Sequence, residues 1–262
     1  DPDRSVQGRR FQSDGTSMGG EFRVNSYTTG SQRNSQVASD AEGNFVVTWT
    51  SDGSYGSDNW KQSIQARRFS ADATPLGSDF QVNTFTRDFQ GASYVGASIS
   101  GDFVVTWTSF YGINTTAWTI QAQRFDNEGE PQGPQFQVSN YTTQYQVTSP
   151  IAMRPNGEFV VVWHHYGRPP HTDSSGILGR EFKAESTPLT DDFQVNSYTT
   201  HGQLNPAIAL GPGGRFIVAW SSFRSPGTDD DRTSIQARIL QSTWIFSDDF
   251  EQGNTSAWSW EE

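Results

Sequence analysis

The segments FVVTWTS (45–51), FVVTWTS (103–109), FVVVWHH (159–165) and FIVAWSS (216–222) are one phrase written four times, at steps of 58, 56 and 57 residues. FRVNSYT (22–28), FQVNTFT (80–86), FQVSNYT (136–142) and FQVNSYT (193–199) recur at the same steps, and so do Gln32, Gln90, Gln146 and Gln203. Self-similarity at a fixed period of this size marks an array of supersecondary units, each too small to bury its own apolar face. A third phrase occurs five times: SVQGRRF (5–11), SIQARRF (63–69), TIQAQRF (119–125), GILGREF (176–182) and SIQARIL (234–240).

All three phrases have strand character. FVVTW is a nearly continuous apolar run, suited to a strand covered on both faces. FQVNSYT and IQARRF alternate more strictly, and SQVASDA (35–41), SYVGASI (93–99), SPIAMRP (149–155) and NPAIALG (205–211) supply one further short strand before a Gly-bearing turn. Four short strands in about 57 residues is the size of a propeller blade. The expected fold is therefore all-β: a four-bladed β-propeller of four four-stranded repeats with one extra N-terminal strand. The expected organisation is an arm over residues 1–11, the propeller over 12–240 and a tail over 241–262.

Trp49, Trp107, Trp163 and Trp220 are expected between blades, because indoles remove so much apolar surface from water. Asn25, Asn83 and Asn196, replaced by Ser139 in the third repeat, and the four glutamines are expected to satisfy backbone groups near strand ends.

Composition narrows the partners. The chain has 262 residues, a formal net charge of −11 and no cysteine. Nucleic acid and anionic membrane surfaces would repel it, disulfides and thiolate metal sites are excluded, and no apolar run is long enough to span a bilayer. An acidic, Gly/Ser/Thr/Asn/Gln-rich chain with only Lys61 and Lys183 as lysines fits an extracellular or cell-surface protein.

Spacing within the repeat is rigid everywhere except between the Trp of FVVTW and the Ile of the next IQARRF, where it is 15, 13, 14 and 15 residues. Four variable loops on a fixed scaffold are a natural binding face. Asp52 and Asp58 in the first loop and Asp229, Asp230 and Asp231 in the last, with Asp173 alone in the third, supply hard oxygen ligands suited to calcium, against the alternative of solvated acidic turns. Tyr55, Trp60, Tyr111, Trp118, Tyr166 and Phe223 set aromatic rings beside polar groups, a mixture that stacks on sugar faces and makes glycans candidate partners. His164 and His165 replace Thr-Ser or Ser-Ser and read as an exposed pair at a strand end. No nucleophile motif or zinc signature is present, so catalysis is not expected. Asn114, Asn140 and Asn254 begin N-x-[ST] sequons, read as chance matches.

The pattern IQARRF, a turn such as ADATPLG, FQVNTFT, a recurring Gln and FVVTW resembles repeats of bacterial secreted or surface proteins, and covers residues 5–240. FSDDFEQGNTSAWS (246–259) is similar to a short accessory ending on such exported proteins. The resemblance implies propeller-type repeats, extracellular location and no enzymatic activity.

Counting sets the functional expectation. Four units of FQVN, middle strand, FVVTW and IQARRF use every phrase except SVQGRRF. That strand (Val6, Gln7, Gly8, Arg9, Arg10, Phe11) could close the ring on the blade containing 193–222, but SIQARIL (234–240) can fill the same place, so one of the two is surplus; a surplus edge strand is either displaced or pairs with the sheet edge of another copy. The expected function is a non-catalytic extracellular protein that self-assembles by strand addition into a fibre, tube or surface layer. The competing expectation is a monomeric carbohydrate-binding module or adhesin using the loop face.

Overall fold

The computed structural model describes residues 4–53, 56–57, 61–86, 88–110, 117–141, 144–167, 175–224 and 232–242. The described chain is all-β, with a single 3₁₀ turn at Pro212–Gly214. At the N-terminal end β1 (Gln7–Gly8) pairs with β2 (Phe22–Arg23). The next sheet runs in order through β3 (Gln32–Ser39), β4 (Phe45–Asp52), β5 (Gln62–Phe69) and β6 (Phe80–Gln81). β7 (Gln90–Ala97), β8 (Phe103–Phe110), β9 (Trp118–Phe125) and β10 (Phe136–Gln137) repeat that order.

The third full sheet contains β11 (Gln146–Val147), β12 (Ile151–Met153), β13 (Phe159–Tyr166), β14 (Ser175–Phe182) and β15 (Phe193–Gln194). Its inner strand is split at Pro150, which has no N–H for the ladder; the positive φ of Thr148, 59°, recurs at Asn34, Ala92 and Asn205 in strands that stay whole. The last sheet holds β16 (Gln203–Leu210), β17 (Arg215–Phe223) and β18 (Thr233–Gln241). Every pairing within the sheets is antiparallel. Among the described residues no sheet closes on itself, and no strand lies along the outer edge of β18.

The sheet boundaries correct the strand arithmetic. FQVN does not open the sheet of the FVVTW that follows it. It pairs backward with the preceding IQARRF, with Phe80 opposite Ala66, Phe136 opposite Ala122 and Phe193 opposite Gly179. The reason is local: the Asn side chain completes the ladder. Ile64 N donates to Asn83 Oδ1 at 2.8 Å while Val82 N donates to the Ile64 carbonyl, and Asn83 Nδ2 donates on to the Phe85 carbonyl. Asn196 repeats the arrangement on Ile177 and Tyr198.

SVQGRRF therefore has its partner within its own chain. Val6 N donates to Asn25 Oδ1 at 2.8 Å, Val24 N donates to the Val6 carbonyl, and Gly8 lies opposite Phe22. Val6 is 5% exposed and sits in a core with Val24, Val47, Trp49 and Phe69. The segment Val6–Phe11 is the strand that FRVN requires, and its apolar anchor is already spent; strand donation to another copy loses its premise. Of its two large apolar side chains, Val6 is buried and Phe11 at its end is largely exposed.

Successive sheets pack face to face. Val46, Ile64, Ala66 and Val82 of one sheet meet Phe103, Val105, Trp107 and Phe125 of the next. Val104, Ile120, Ala122 and Val138 meet Phe159, Val161, Trp163 and Phe182, and Val160, Val162, Ile177 and Val195 meet Phe216, Val218 and Trp220. The four tryptophans are buried between sheets as expected. The recurring glutamine reaches them: Gln32, Gln90 and Gln203 each accept a hydrogen bond from Trp49, Trp107 and Trp220 Nε1 at 2.8–2.9 Å.

Removing the ladder-completing amide leaves a buried N–H unpaired, which costs about 1–3 kcal/mol. Asn83→Ala and Asn25→Ala should each lower the unfolding free energy read from urea melts by that amount. A costly Asn83→Ala beside a neutral Asn25→Ala would show that the N-terminal strand is not held in cis.

Candidate functional site

The variable loops all leave one end of the sheets, and a second series of segments reaches the same end. Tyr27, Phe85, Tyr141 and Tyr198, the aromatics two residues after each FQVN asparagine or serine, lie there half-buried. Tyr198 Oη donates to the Arg224 carbonyl at the root of the fourth loop. A Cβ on Gly53 would stand 3.1 Å from Tyr27 Oη at the root of the first. The aromatic of FQVNxY thus underpins the variable loop of its own repeat.

The last residue of the FVVTW strand occupies an equivalent position in each sheet. Asp52, Phe110, Tyr166 and Phe223 each donate a backbone N–H, at 2.9 Å, to the carbonyls of Ser31, Phe89, Tyr145 and Gly202. Three of these four strand ends are aromatic. Trp118, at the start of β9, packs against Phe89 and Phe110 with centroid distances of 4.8 and 4.9 Å. Tyr145 and Tyr166, 53% and 40% exposed, meet edge to face at 6.4 Å, with the His164 ring 5.5 Å from Tyr166. Phe223 is exposed beside Gly202, whose added Cβ would lie 3.9 Å from its ring. At the first repeat Asp52 carries an ion pair instead, held by Arg33 Nη1 and Nη2 at 2.5 and 2.9 Å. The strand ends of three repeats thus carry flat apolar rings, and that of the first carries a paired carboxylate and guanidinium.

Of the residues expected on this face, Trp118, Tyr166 and Phe223 are placed there. Tyr55, Trp60 and Tyr111 lie outside the described residues, as do Asp58, Asp173, Asp229, Asp230 and Asp231 of the calcium expectation. Asp52, the remaining calcium candidate, is engaged through both oxygens by Arg33, and among the described residues no three His, Asp or Glu side chains gather to hold an ion. Phe89, Phe110, Tyr145 and Arg33 were not foreseen. The signal for Phe110 was available: TSD, TSF, HHY and SSF end the repeated strand in register.

The histidines are a further correction. Both are buried rather than exposed, because β13 is covered on either face by neighbouring sheets. The third repeat also breaks the Trp–Gln pair. Gln146 Nε2 turns to the Tyr141 carbonyl, and Trp163 Nε1 and Gln146 Oε1 have no hydrogen-bond partner among the described residues.

Hydrolysis of a glycosidic bond ordinarily needs two carboxyl groups flanking it. The inner strands β3, β7, β11, β12 and β16 carry no Asp or Glu. The described carboxylates at this end include Asp52, paired with Arg33, and Asp88, 2.7 Å from Lys61 Nζ.

No protein-family model matches the sequence, and no curated protein does. Solved structures do match. The α-L-arabinofuranosidase of Fusarium graminearum with an iminosugar inhibitor is 11% identical with a TM-score of 0.53, covering 80% of this chain and 63% of its own. The same organism's family GH93 α-L-arabinofuranosidase with arabinobiose is 11% identical with a TM-score of 0.52, covering 81% and 63%. The α-L-arabinanase of Cellvibrio cellulosa with arabinohexaose is 12% identical with a TM-score of 0.45, covering 80% and 74%. This chain thus spans less than two thirds of the length of the Fusarium enzymes.

At such identity the two Fusarium likenesses show the fold, which is β-propeller-like. They also overturn the expectation of a non-catalytic, self-assembling structural protein, because this fold is one that glycoside hydrolases use. The cis pairing of Val6–Phe11 removes the other support for self-assembly.

Burial pushes the His164 pKa down from 6.5 to about 4. The unfolded chain binds this proton more readily, so stability should rise with pH from about 4 to about 6.5 and be lost as pH falls through that window, by up to about 3 kcal/mol. His164→Thr, which installs the residue found at Thr50 and Thr108, should flatten this component in urea melts between pH 4 and 7. An unchanged slope would place the titration elsewhere.

Proposed function

We propose that this chain is a carbohydrate-active protein whose saccharide site is the loop end of the sheets. The observation that carries the reading is the recurrence of an aromatic at one register position, Phe110, Tyr166 and Phe223, with Trp118 and Tyr145 packed against two of them. A sheet array that repeats a ring at three of its four steps presents several flat apolar faces, and sugar rings offer C–H faces of matching size. Arg33 and Asp52 add a charged hydrogen-bonding pair at the same level.

The same reading takes the four repeats as four propeller blades and the protein as extracellular, where polysaccharide substrates are met. Arabinose-containing glycans are the first ligands to try, since the arabinofuranosidase of similar fold is bound to arabinobiose. For hydrolysis, the carboxylates to examine among the described residues are Asp52 and Asp88.

Calorimetric titration with arabino-oligosaccharides and a wider oligosaccharide panel, with chromatography of products released from arabinan, tests the reading. Binding should be detectable at millimolar ligand, and Tyr166→Ala should weaken it about tenfold, the loss of one stacking contact of about 1 kcal/mol or slightly more. Neither binding nor release across the panel would overturn it, and so would binding that Tyr166→Ala and Trp118→Ala leave unchanged.

A further inference from the structure

The end of the sheets opposite the variable loops carries a repeated contact of its own. In the first three IQARRF-type strands the residue before the final Phe is an arginine: Arg10, Arg68 and Arg124. Arg10 Nη1 donates to the Ala71 carbonyl at 2.7 Å, and Arg68 donates through Nη1 and Nη2 to the Glu128 and Asn127 carbonyls. Each thus reaches from its own strand to the turn of the next repeat. Ala71 and Asn127 are the second residues of the turns SADATPLG (70–77) and DNEGEPQG (126–133), and Ala184 holds that place in KAESTPLT (183–190). Arg124 is the counterpart that would meet Ala184, yet among the described residues no hydrogen bond or ion pair engages its guanidinium.

The difference follows one turn position. Gly129 lies so close to Arg68 that an added Cβ would stand 3.0 Å from the arginine Cδ, and beside this glycine the guanidinium makes two bonds. At the same position Ala73 accompanies one bond from Arg10, and Ser186 accompanies none from Arg124. All three residues take a positive φ, 68° at Ala73, 85° at Gly129 and 67° at Ser186, so the turn is shared and the side chain varies. Ser186 Oγ is itself out of solvent and without a hydrogen-bond partner among the described residues.

A cleft of about 340 Å³ lies between the second and third sheets, where Arg124 makes no crossing bond, against about 170 Å³ at the seam that Arg68 crosses. Arg124 lines it together with Asn156, Met153 and Ile99. Asn156 Oδ1 accepts from Glu158 N, which leaves its Nδ2 as a second donor. Asp102 and Asp126 also border the cleft, but their oxygens are held in the turns: Asp126 accepts from Glu128 N, Glu130 N and Gln132 Nε2, and Asp102 from Asn127 N and Ser100 Oγ. We propose that this cleft binds a small carboxylate, its anion held by the Arg124 guanidinium and Asn156 Nδ2 and its body resting on Met153 and Ile99. A guanidinium fork matches a carboxylate in both charge and geometry. The volume stands at the lower end of small-molecule pockets, about 300–1,000 Å³. The site lies at the other end of the sheets from the loops and does not depend on the saccharide reading.

Calorimetric titration of the full chain at low salt tests the site, with galacturonate and benzoate as probes and galactose and benzyl alcohol as their neutral counterparts. At least one acid should bind at millimolar concentration, about tenfold more tightly than its neutral counterpart, and the acid that binds tells whether the cleft accepts a hydroxylated or an apolar body. Arg124→Gln should weaken that binding about tenfold, the loss of a charged hydrogen bond. Ser186→Gly keeps the arginine and suits a backbone at positive φ, so the fold is preserved. By opening the way for Arg124 to the Ala184 carbonyl, it should weaken binding to a similar degree. The proposal fails if neither acid binds, if the neutral compounds bind as well as the acids, or if either variant binds the acid as tightly as the parent protein.

Discussion

The structure depends on one contact: the isoleucine or valine of each IQARRF-type strand hands its backbone groups forward to the next FQVN. Ile64 is the clearest case, its carbonyl accepting from Val82 N and its N–H donating to Asn83 Oδ1. A strand of only two ladder residues would not hold on backbone pairing alone. The asparagine supplies the third bond and then, through Nδ2, fixes the turn toward the next repeat. Since Ile64, Val82 and Asn83 are all buried, the exchange takes place in low dielectric, where an unmade hydrogen bond is costly. The connection from one sheet to the next is therefore set at an atom-level joint, and the sheets stack in sequence because the joints recur.

From that joint follow both the core and the loop face. Each sheet buries one Ile/Val/Ala face against the Phe/Val/Trp/Phe face of its successor, so the apolar phrases that look redundant in the sequence are two halves of one interface. The variable loops emerge at the end where FQVNxY returns, and its aromatic props the loop root. The rings at the ends of the FVVTW strands are positioned by ladder bonds within the sheets, which gives the face a rigid base beneath variable loops.

The third repeat shows how a repeated scaffold acquires a local difference. Substituting His164 and His165 for small hydroxyl residues between two covered faces accompanies a broken Trp163–Gln146 pair and a histidine neutral well below its ordinary pKa. Tyr166 and Tyr145 sit directly above this altered stretch. The buried His164, with its lowered pKa, thus lies beneath an exposed aromatic pair.

All-β character, the repeat, its period, the buried tryptophans and the backbone-satisfying role of Asn83 and Asn196 were legible in the sequence, because alternation and spacing report directly on which side chains share a face. The rigid and variable connections were legible for the same reason. The sequence could not say to which neighbour FQVN belongs, since a two-residue strand carries no periodicity that distinguishes forward from backward pairing. That ambiguity turned SVQGRRF into an unpaired strand and suggested self-assembly. Only the tertiary structure, by putting Val6 beneath Val24 and Val6 N on Asn25, decided that the strand is used within its own chain. The aromatic face was half legible: the loop rings were visible as composition, but the alignment of Phe110, Tyr166 and Phe223 at one level depends on strand register, which the ladder between sheet neighbours fixes.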